Sequence, residues 1–211
     1  MINCRRLPLI LILWLASAGL AFAEDHPARE LVETTTQELL SAFKTEKEAI
    51  ESDDNVLREI VSDKILDHFD FIRMSKLALG KHWRKASVEQ RKGFTIEFRQ
   101  LLLNTYAKAL YRFADAEITY DPVRTEEGAR YVDVVSEVNN GGEPVGVTYR
   151  MHDKKSAWKV FNITIEGVSL ITNFRSTFSS FVNKKGIDAL ILDLKKRNEK
   201  ALKGEPEDES A

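Results

Sequence analysis

The reactive side chains of this sequence are spread thinly along it. Its four histidines are His26, His68, His82 and His152. No pair of them has the spacing of a zinc site on a helix, and the single cysteine, Cys4, stands far from all four. Each histidine reads best as a surface or core-edge residue. Glu166-Gly167-Val168-Ser169-Leu170 places a serine two residues after a glycine, yet it lacks the second glycine and the strand-to-elbow spacing of a serine nucleophile. Ser169 is better taken as a helix cap. No glycine loop suits a phosphate, and no dinucleotide fingerprint is present. Asp67 with Asp70, and Glu46 with Glu48, fall in charge-rich helical stretches and read as solvated. A triad can be assembled from distant positions, so these absences argue against an enzyme without excluding one. No cofactor and no metal is expected.

The apolar residues carry more information. Trp158 to Phe178 reads WKVFNITIEGVSLITNFRSTF. A strand covering one face of a core alternates apolar and polar residues. Here Trp158 and Val160 point to one side, while Phe161, Ile163 and Ile165 lie in the opposite register. Gly167 breaks the run, and Val168, Leu170, Ile171, Phe174 and Phe178 follow at near-helical spacing. Two readings are open: a strand buried between two layers, or a strand of which one face lines a cavity for an oily ligand.

The elements around this stretch fall into two halves. From Ala28 to about Phe113 the pattern is helical. Leu31, Leu39, Ala42 and Phe43 mark one amphipathic helix, and Asp53, Asp54 and Asn55 offer a cap for the next, with Val56, Leu57, Ile60, Val61 and Ile65 on its apolar side. A segment from Phe69 to Leu79 ends at Gly80. Ser87 and Gln90 form a capping box that starts the longest helix, with a stripe of Phe94, Phe98, Leu101, Leu102, Tyr106, Ala109, Leu110 and Phe113. The second half switches to period two. Strands are expected at Glu117–Asp121, Tyr131–Val138, Val145–Met151 and Ala157–Ile165, joined by short turns and therefore antiparallel. Helices follow at Ser169–Lys184 and Ile187–Lys200. This order gives an α+β fold.

The first residues set an expected destination. Arg5 and Arg6 precede an almost wholly apolar run, Leu7 to Leu20, and Ala21-Phe22-Ala23 is a small-x-small cleavage site, the pattern of a secretory signal peptide over residues 1–23. The run is short for a spanning helix, which needs about 20 apolar residues. Cys4 lies before the run, where a lipid anchor would need its cysteine after it. The expected mature protein is one domain over residues 24–203, with a disordered charged tail at 204–211. It would have no cysteine, 29 basic residues against 33 acidic ones, and a net charge of −4. That balance argues against nucleic acid, which needs a basic footprint, and against constant adsorption to an anionic membrane. A periplasm fits best.

The long helix offers four aromatics, Phe94, Phe98, Tyr106 and Phe113, and the strands offer Tyr149, Met151, Trp158 and Phe161. A curved sheet folded around such a helix can leave an apolar cavity at its open end, although periodicity alone favours a solid core. Several blocks then carry a resemblance: Met74-Ser75-Lys76-Leu77-Ala78-Leu79-Gly80 with His82-Trp83, Phe94 to Tyr106, Val147-Thr148-Tyr149-Arg150-Met151, Trp158-Lys159-Val160, and above all Ile165 to Arg175 followed by Lys185-Gly186-Ile187-Asp188-Ala189-Leu190. In this order they resemble the MlaC family of periplasmic phospholipid-binding proteins, also called the toluene-tolerance auxiliary family. The resemblance implies an NTF2-like curved sheet with a helical subdomain. It implies a cavity for the acyl tails of a glycerophospholipid, with the head group near solvent. It also implies a shuttle between an outer-membrane lipoprotein–porin complex and an inner-membrane ABC transporter complex, touching membranes only transiently and maintaining the lipid asymmetry of the outer membrane.

On that reading Phe94, Phe98, Leu102, Tyr106 and Leu110 form a helical wall. Val147, Tyr149, Met151, Trp158, Val160 and Ile163 form a sheet wall, and Val168, Leu170, Ile171 and Phe174 close it. Strand parity is open by one residue, and a slip of one inverts the wall. Arg99, Arg150 and Arg175 are candidates to meet a phosphate, since arginine binds phosphate in a bidentate way. Two rivals remain: an enzyme on an NTF2-like scaffold, which would need ionisable groups converging in its cavity, and a chaperone or adaptor that binds protein through exposed apolar surface.

Overall fold

The structure is a computed structural model and describes residues 26–126, 128–155 and 157–204. The expected signal peptide and nearly all of the expected tail lie outside them. Helix α1 (Pro27–Thr45) begins with proline in its first turn, where a missing N–H costs nothing, and the His26 ring accepts a hydrogen bond from the Ala28 amide at 3.1 Å. It buries Ala28, Val32, Leu39 and Phe43 on one stripe. Helices α2 (Lys47–Ser52) and α3 (Asp54–Ile65) follow, the latter capped by Asp53, whose carboxylate accepts from the Asn55 amide at 2.8 Å. A single 3₁₀ turn, Leu66–His68, leads into α4 (Phe71–Leu79) and the short α5 (Lys81–Lys85). Gly80 separates these two at φ +54°, a conformation that side chains with a Cβ rarely adopt.

Helix α6 (Val88–Tyr111) has the expected capping box: Ser87 accepts from the Gln90 amide at 3.1 Å, and Gln90 accepts from the Ser87 amide at 3.0 Å. At 24 residues it is about 36 Å long, too long for a single packing environment. Its N-terminal half buries Phe94, Phe98 and Leu101 in a core shared with α4, α7 (Leu170–Lys185) and α8 (Ile187–Leu202). Its C-terminal half buries Leu103 and Ala107 against α1 and α3. Asn198 latches α8 to α6 by donating to the Glu97 carbonyl at 3.0 Å and to its carboxylate at 2.8 Å.

The sheet is a five-stranded antiparallel meander in the order β1-β2-β3-β4-β5: β1 (Glu117–Tyr120), β2 (Tyr131–Asn139), β3 (Val145–Asp153), β4 (Trp158–Ile165) and β5 (Val168–Ser169). With the helices it makes the α+β fold that the sequence implies. The chain does not pass straight from Gly167 into a helix, as the apolar spacing suggested. Glu166 and Gly167, at φ +47° and +77°, form a two-residue turn that folds β5 back onto β4, and only then does Ser169 cap α7 by accepting from the Thr172 amide at 3.2 Å. Glu166 is held in this unusual conformation from both ends: its amide donates to the Gly146 carbonyl at 3.0 Å, and its carboxylate accepts from the Gly146 amide.

Strand β4 also departs from simple alternation. Arg150 pairs with Asn162, but the next residue, Met151, pairs with Val160. Phe161 is therefore the extra residue of a β-bulge, and the parity of β4 changes across it. Residues that seemed to lie in opposite registers, Val160 on one side and Ile163 with Ile165 on the other, face the same way. Phe161 turns to the outer face, where its ring meets those of Tyr131 and His152 edge-on at 6.1 and 5.4 Å.

Candidate functional site

Three apolar clusters meet without closing. One joins α4, α6, α7 and α8; one joins α1, α2, α3 and α6; one joins α1 to the inner face of the sheet. Between them lies a cavity of about 330 Å³. Leu31, Val32, Thr35, Thr36, Leu39 and Leu40 of α1 line it, with Val61 and Ile65 of α3 and Phe69, Phe71 and Met74 around the start of α4. Leu102, Leu103, Tyr106, Ala109 and Leu110 of α6 form another wall. The sheet supplies Ile118, Val138, Val145, Val147, Tyr149, Met151, Val160, Ile163 and Ile165, and α7 adds Leu170 and Ile171.

The position of α4 against the sheet, and so of Phe69, Phe71 and Met74, is fixed by Asp70. The Asp70 amide donates to the Val160 carbonyl at 2.8 Å, beside a parallel bridge between Phe69 and Val160. Its buried carboxylate caps α4 by accepting from the Arg73 amide at 3.0 Å, and also accepts from Lys154 at 2.9 Å and from the His152 ring at 3.1 Å. Burial alone would push this carboxyl up. The hydrogen bonds from Lys154, Arg73 and His152 and the charge of Lys154 outweigh it and hold the group below the ordinary aspartate range.

The polar groups of the wall are few and uncharged at neutral pH. Among the described residues that line the cavity there is no Asp, Glu, Lys or Arg. Burial pushes the Tyr149 hydroxyl up to about 12, and the neighbouring Tyr120 adds to the shift. Burial also raises Tyr106. His68 is lowered by burial and then by the charge of Lys159, so its ring is neutral. Such a surface offers van der Waals contact and a few hydroxyls. It presents no charge pair for proton transfer and no activated nucleophile. Among the described residues no group of three or more His, Cys, Asp or Glu could hold a metal ion, and no helix is long and apolar enough to cross a membrane.

Ten of the residues expected to form the wall meet in this cavity: Leu102, Tyr106, Leu110, Val147, Tyr149, Met151, Val160, Ile163, Leu170 and Ile171. Five lie elsewhere. Phe94, Phe98 and Phe174 belong to an aromatic cluster with Phe178, with ring centroids 5.2–5.5 Å apart, because the first half of α6 packs on α7 and α8 rather than on the sheet. Trp158 sits before the bulge and packs edge-on against His26 at the start of α1, at 5.0 Å. Val168 lies in the short β5 and is 60% exposed. The contribution of α1 went unassigned in the sequence reading. Its apolar stripe was visible, but nothing in it said which hollow the stripe would face.

The three candidate arginines do not converge on the cavity. Arg99, on α6, lies 5.7 Å from the ring of Phe71, a lining residue. Arg150 and Arg175 line a separate groove on the outer face of the sheet.

Comparison with known proteins agrees with this geometry. The family model described as MlaC protein matches residues 33–196. The chain is 29% identical over 180 residues to the toluene tolerance protein ttg2D of Pseudomonas putida, covering 85% of this chain and 83% of that protein. It is 27% identical over 175 residues to the intermembrane phospholipid transport system binding protein MlaC of Haemophilus influenzae, covering 81% of each. The solved structure of a phospholipid-binding protein from Ralstonia solanacearum, in complex with a phospholipid, superposes with a TM-score of 0.76 at 31% identity, covering 82% of this chain and 98% of that one. A family model that spans most of the chain, on a fold shared with a lipid-bound relative, settles the kinship: this chain belongs to the MlaC protein family.

Proposed function

We propose that this protein is a non-catalytic phospholipid carrier that holds the acyl tails of a glycerophospholipid in the cavity between α1, α6 and the inner face of the sheet. The observation that carries this reading is the uncharged apolar wall assembled from nine helices and strands, Leu31 to Ile171. Related proteins are described as phospholipid-binding and as part of intermembrane phospholipid transport, and one was solved with a phospholipid bound.

Exposing a tail to water costs about 0.8 kcal/mol per CH₂, so two tails cost on the order of 20 kcal/mol or more. That barrier stops a lipid from crossing water at a useful rate. A cavity of about 330 Å³, within the size range of ligand pockets, replaces water with Val, Leu, Ile and Met side chains around the part of the tails it encloses and lowers the barrier accordingly. No bond is made or broken, so no general acid, base or nucleophile is required. Direction would come from differing affinities at two docking complexes, an outer-membrane lipoprotein–porin complex and an inner-membrane ABC transporter complex, as the family resemblance suggests. The workplace on this reading is the periplasm, reached by cleavage of the leader after Ala23.

The test is transfer of a fluorescent phospholipid between donor and acceptor vesicles. A rate that rises linearly with protein concentration supports the carrier. A rate equal to the protein-free control at every concentration sinks it.

A further inference from the structure

The outer face of the sheet carries a second concavity, of about 370 Å³, which the carrier reading leaves unused. Three arginines from three elements line it: Arg73 of α4, Arg150 of β3 and Arg175 of α7. Two of them are positioned by packing rather than by counter-charge. The Arg73 guanidinium lies 4.1 Å from the Phe161 ring centroid and 5.0 Å from that of Tyr131. The Arg175 guanidinium rests against Gly80 so closely that a Cβ there would come within 2.8 Å of its Nε.

Charge in the groove is poorly compensated. Among the described residues, neither Arg73 nor Arg175 has a carboxylate within 4.0 Å. Arg150 faces Asp133 across the β2–β3 ladder at 3.8 Å, and both side chains are half exposed, a weak pairing. The Nε of Arg73 is buried with no hydrogen-bond partner. The half-exposed Tyr131 hydroxyl is held below its ordinary range by its interaction with Arg73 and by the charge of that group. The first turn of α7 opens on the same groove and adds the positive end of a 16-residue helix.

We propose that this groove is an anion site for a phosphate group, held by Arg73, Arg150 and Arg175 on the face of the sheet opposite the apolar cavity. Guanidinium forks from three directions match a tetrahedral dianion, which accepts more hydrogen bonds than a planar carboxylate. The concavity suits one compact group better than a flat protein surface. The phosphate has two possible sources: free inorganic phosphate, or the phosphate of a lipid headgroup. Ile171 lines both hollows, so a single side chain of α7 touches the apolar cavity and the groove.

Calorimetric titration of the purified full chain at low ionic strength separates the outcomes. The probes are inorganic phosphate and, below its micelle concentration, dihexanoyl phosphatidylglycerol. The variants are Arg150→Gln/Arg175→Gln, both exposed positions that leave the core intact, and Arg99→Gln as a control outside the groove. Saturable binding of inorganic phosphate, weakened about tenfold or more in the double variant and unchanged in Arg99→Gln, supports the site for free phosphate; tenfold is the scale of one lost charge-assisted hydrogen bond. The same pattern with the short-chain lipid alone supports a headgroup site. Binding of neither probe, or binding equal in wild type and double variant, overturns the proposal. Failure here and failure of vesicle transfer are distinguishable, because inorganic phosphate and the Arg150→Gln/Arg175→Gln variant leave the residues of the tail cavity unchanged.

Discussion

Val160 and Ile163 line the same cavity although they stand three residues apart in one strand, because Phe161 is bulged out opposite the step from Arg150 to Met151. Without the bulge, residues an odd number apart would point to opposite faces. The extra residue lets β4 place Val160, Ile163 and Ile165 on the cavity side and still send a large aromatic to the outer face, where it supports Arg73. One insertion therefore serves both faces of the sheet.

Charge placed in the cavity should abolish lipid loading. Val147→Glu and Leu170→Glu each put a carboxylate into a wall without a counter-ion, at a cost of several kcal/mol on occupancy by a tail. Val168→Glu, two residues from Leu170 but 60% exposed, should load normally. Lipid extracted from each purified variant and quantified by mass spectrometry checks this. Full loading of both cavity variants would place the tails elsewhere.

The aromatic cluster and the cavity wall should respond differently to truncation. Phe98 is fully buried among Phe94, Phe174 and Phe178, and Phe98→Ala should cost about 3–5 kcal/mol in urea unfolding. Leu102→Ala, one turn on and bordering a hollow, should cost less than about 2 kcal/mol in lipid-free protein, since few contacts are lost there. Equal costs would contradict the division of α6 into a core half and a cavity half.

How much of this was legible beforehand differs from element to element. Capping chemistry is local, so Asp53, Ser87 and Ser169 marked their helices, and the strand order followed from short turns. The apolar stripe of α6 was visible along its whole length, but periodicity cannot say which of two partners a stripe meets, and Phe94 and Phe98 went to α8 and α7 rather than to the sheet. The bulge left a trace in the mixed parity of Trp158 to Ile165. Deciding which residue is extra requires the pairing with β3, a long-range fact that no window of β4 contains. The grouping of Arg73 with Arg150 and Arg175 likewise depends on three distant elements.

Asp70 should make the protein acid-sensitive. Its carboxyl is held below the ordinary aspartate range in the fold, so its contribution is present above the unfolded-state pKa and is lost as pH falls through the lower folded value. Asp70→Asn should cost about 1–3 kcal/mol at pH 7, since Lys154 and His152 lose a charged acceptor, and should flatten the loss of stability below about pH 4. Urea unfolding of wild type and variant at pH 7 and pH 3 measures both. A difference between the two proteins that is the same at both pH values would remove Asp70 from the account.

Gly80 should resist a side chain. Its φ of +54° disfavours any Cβ, and the Arg175 guanidinium occupies the space a Cβ would need. Gly80→Ala should cost about 1–3 kcal/mol. Gly80→Ala/Arg175→Ala should recover only the steric part. Thermal unfolding of the single and double variants checks the split, and a neutral Gly80→Ala would contradict the backbone strain.

The most direct measurement is native mass spectrometry of the protein purified from the periplasm of its own host. The account predicts a mass increment matching diacyl glycerophospholipid at close to one per chain, lost in Leu170→Glu. Protein that is consistently empty, and that takes up no lipid when phospholipid is added, would contradict it.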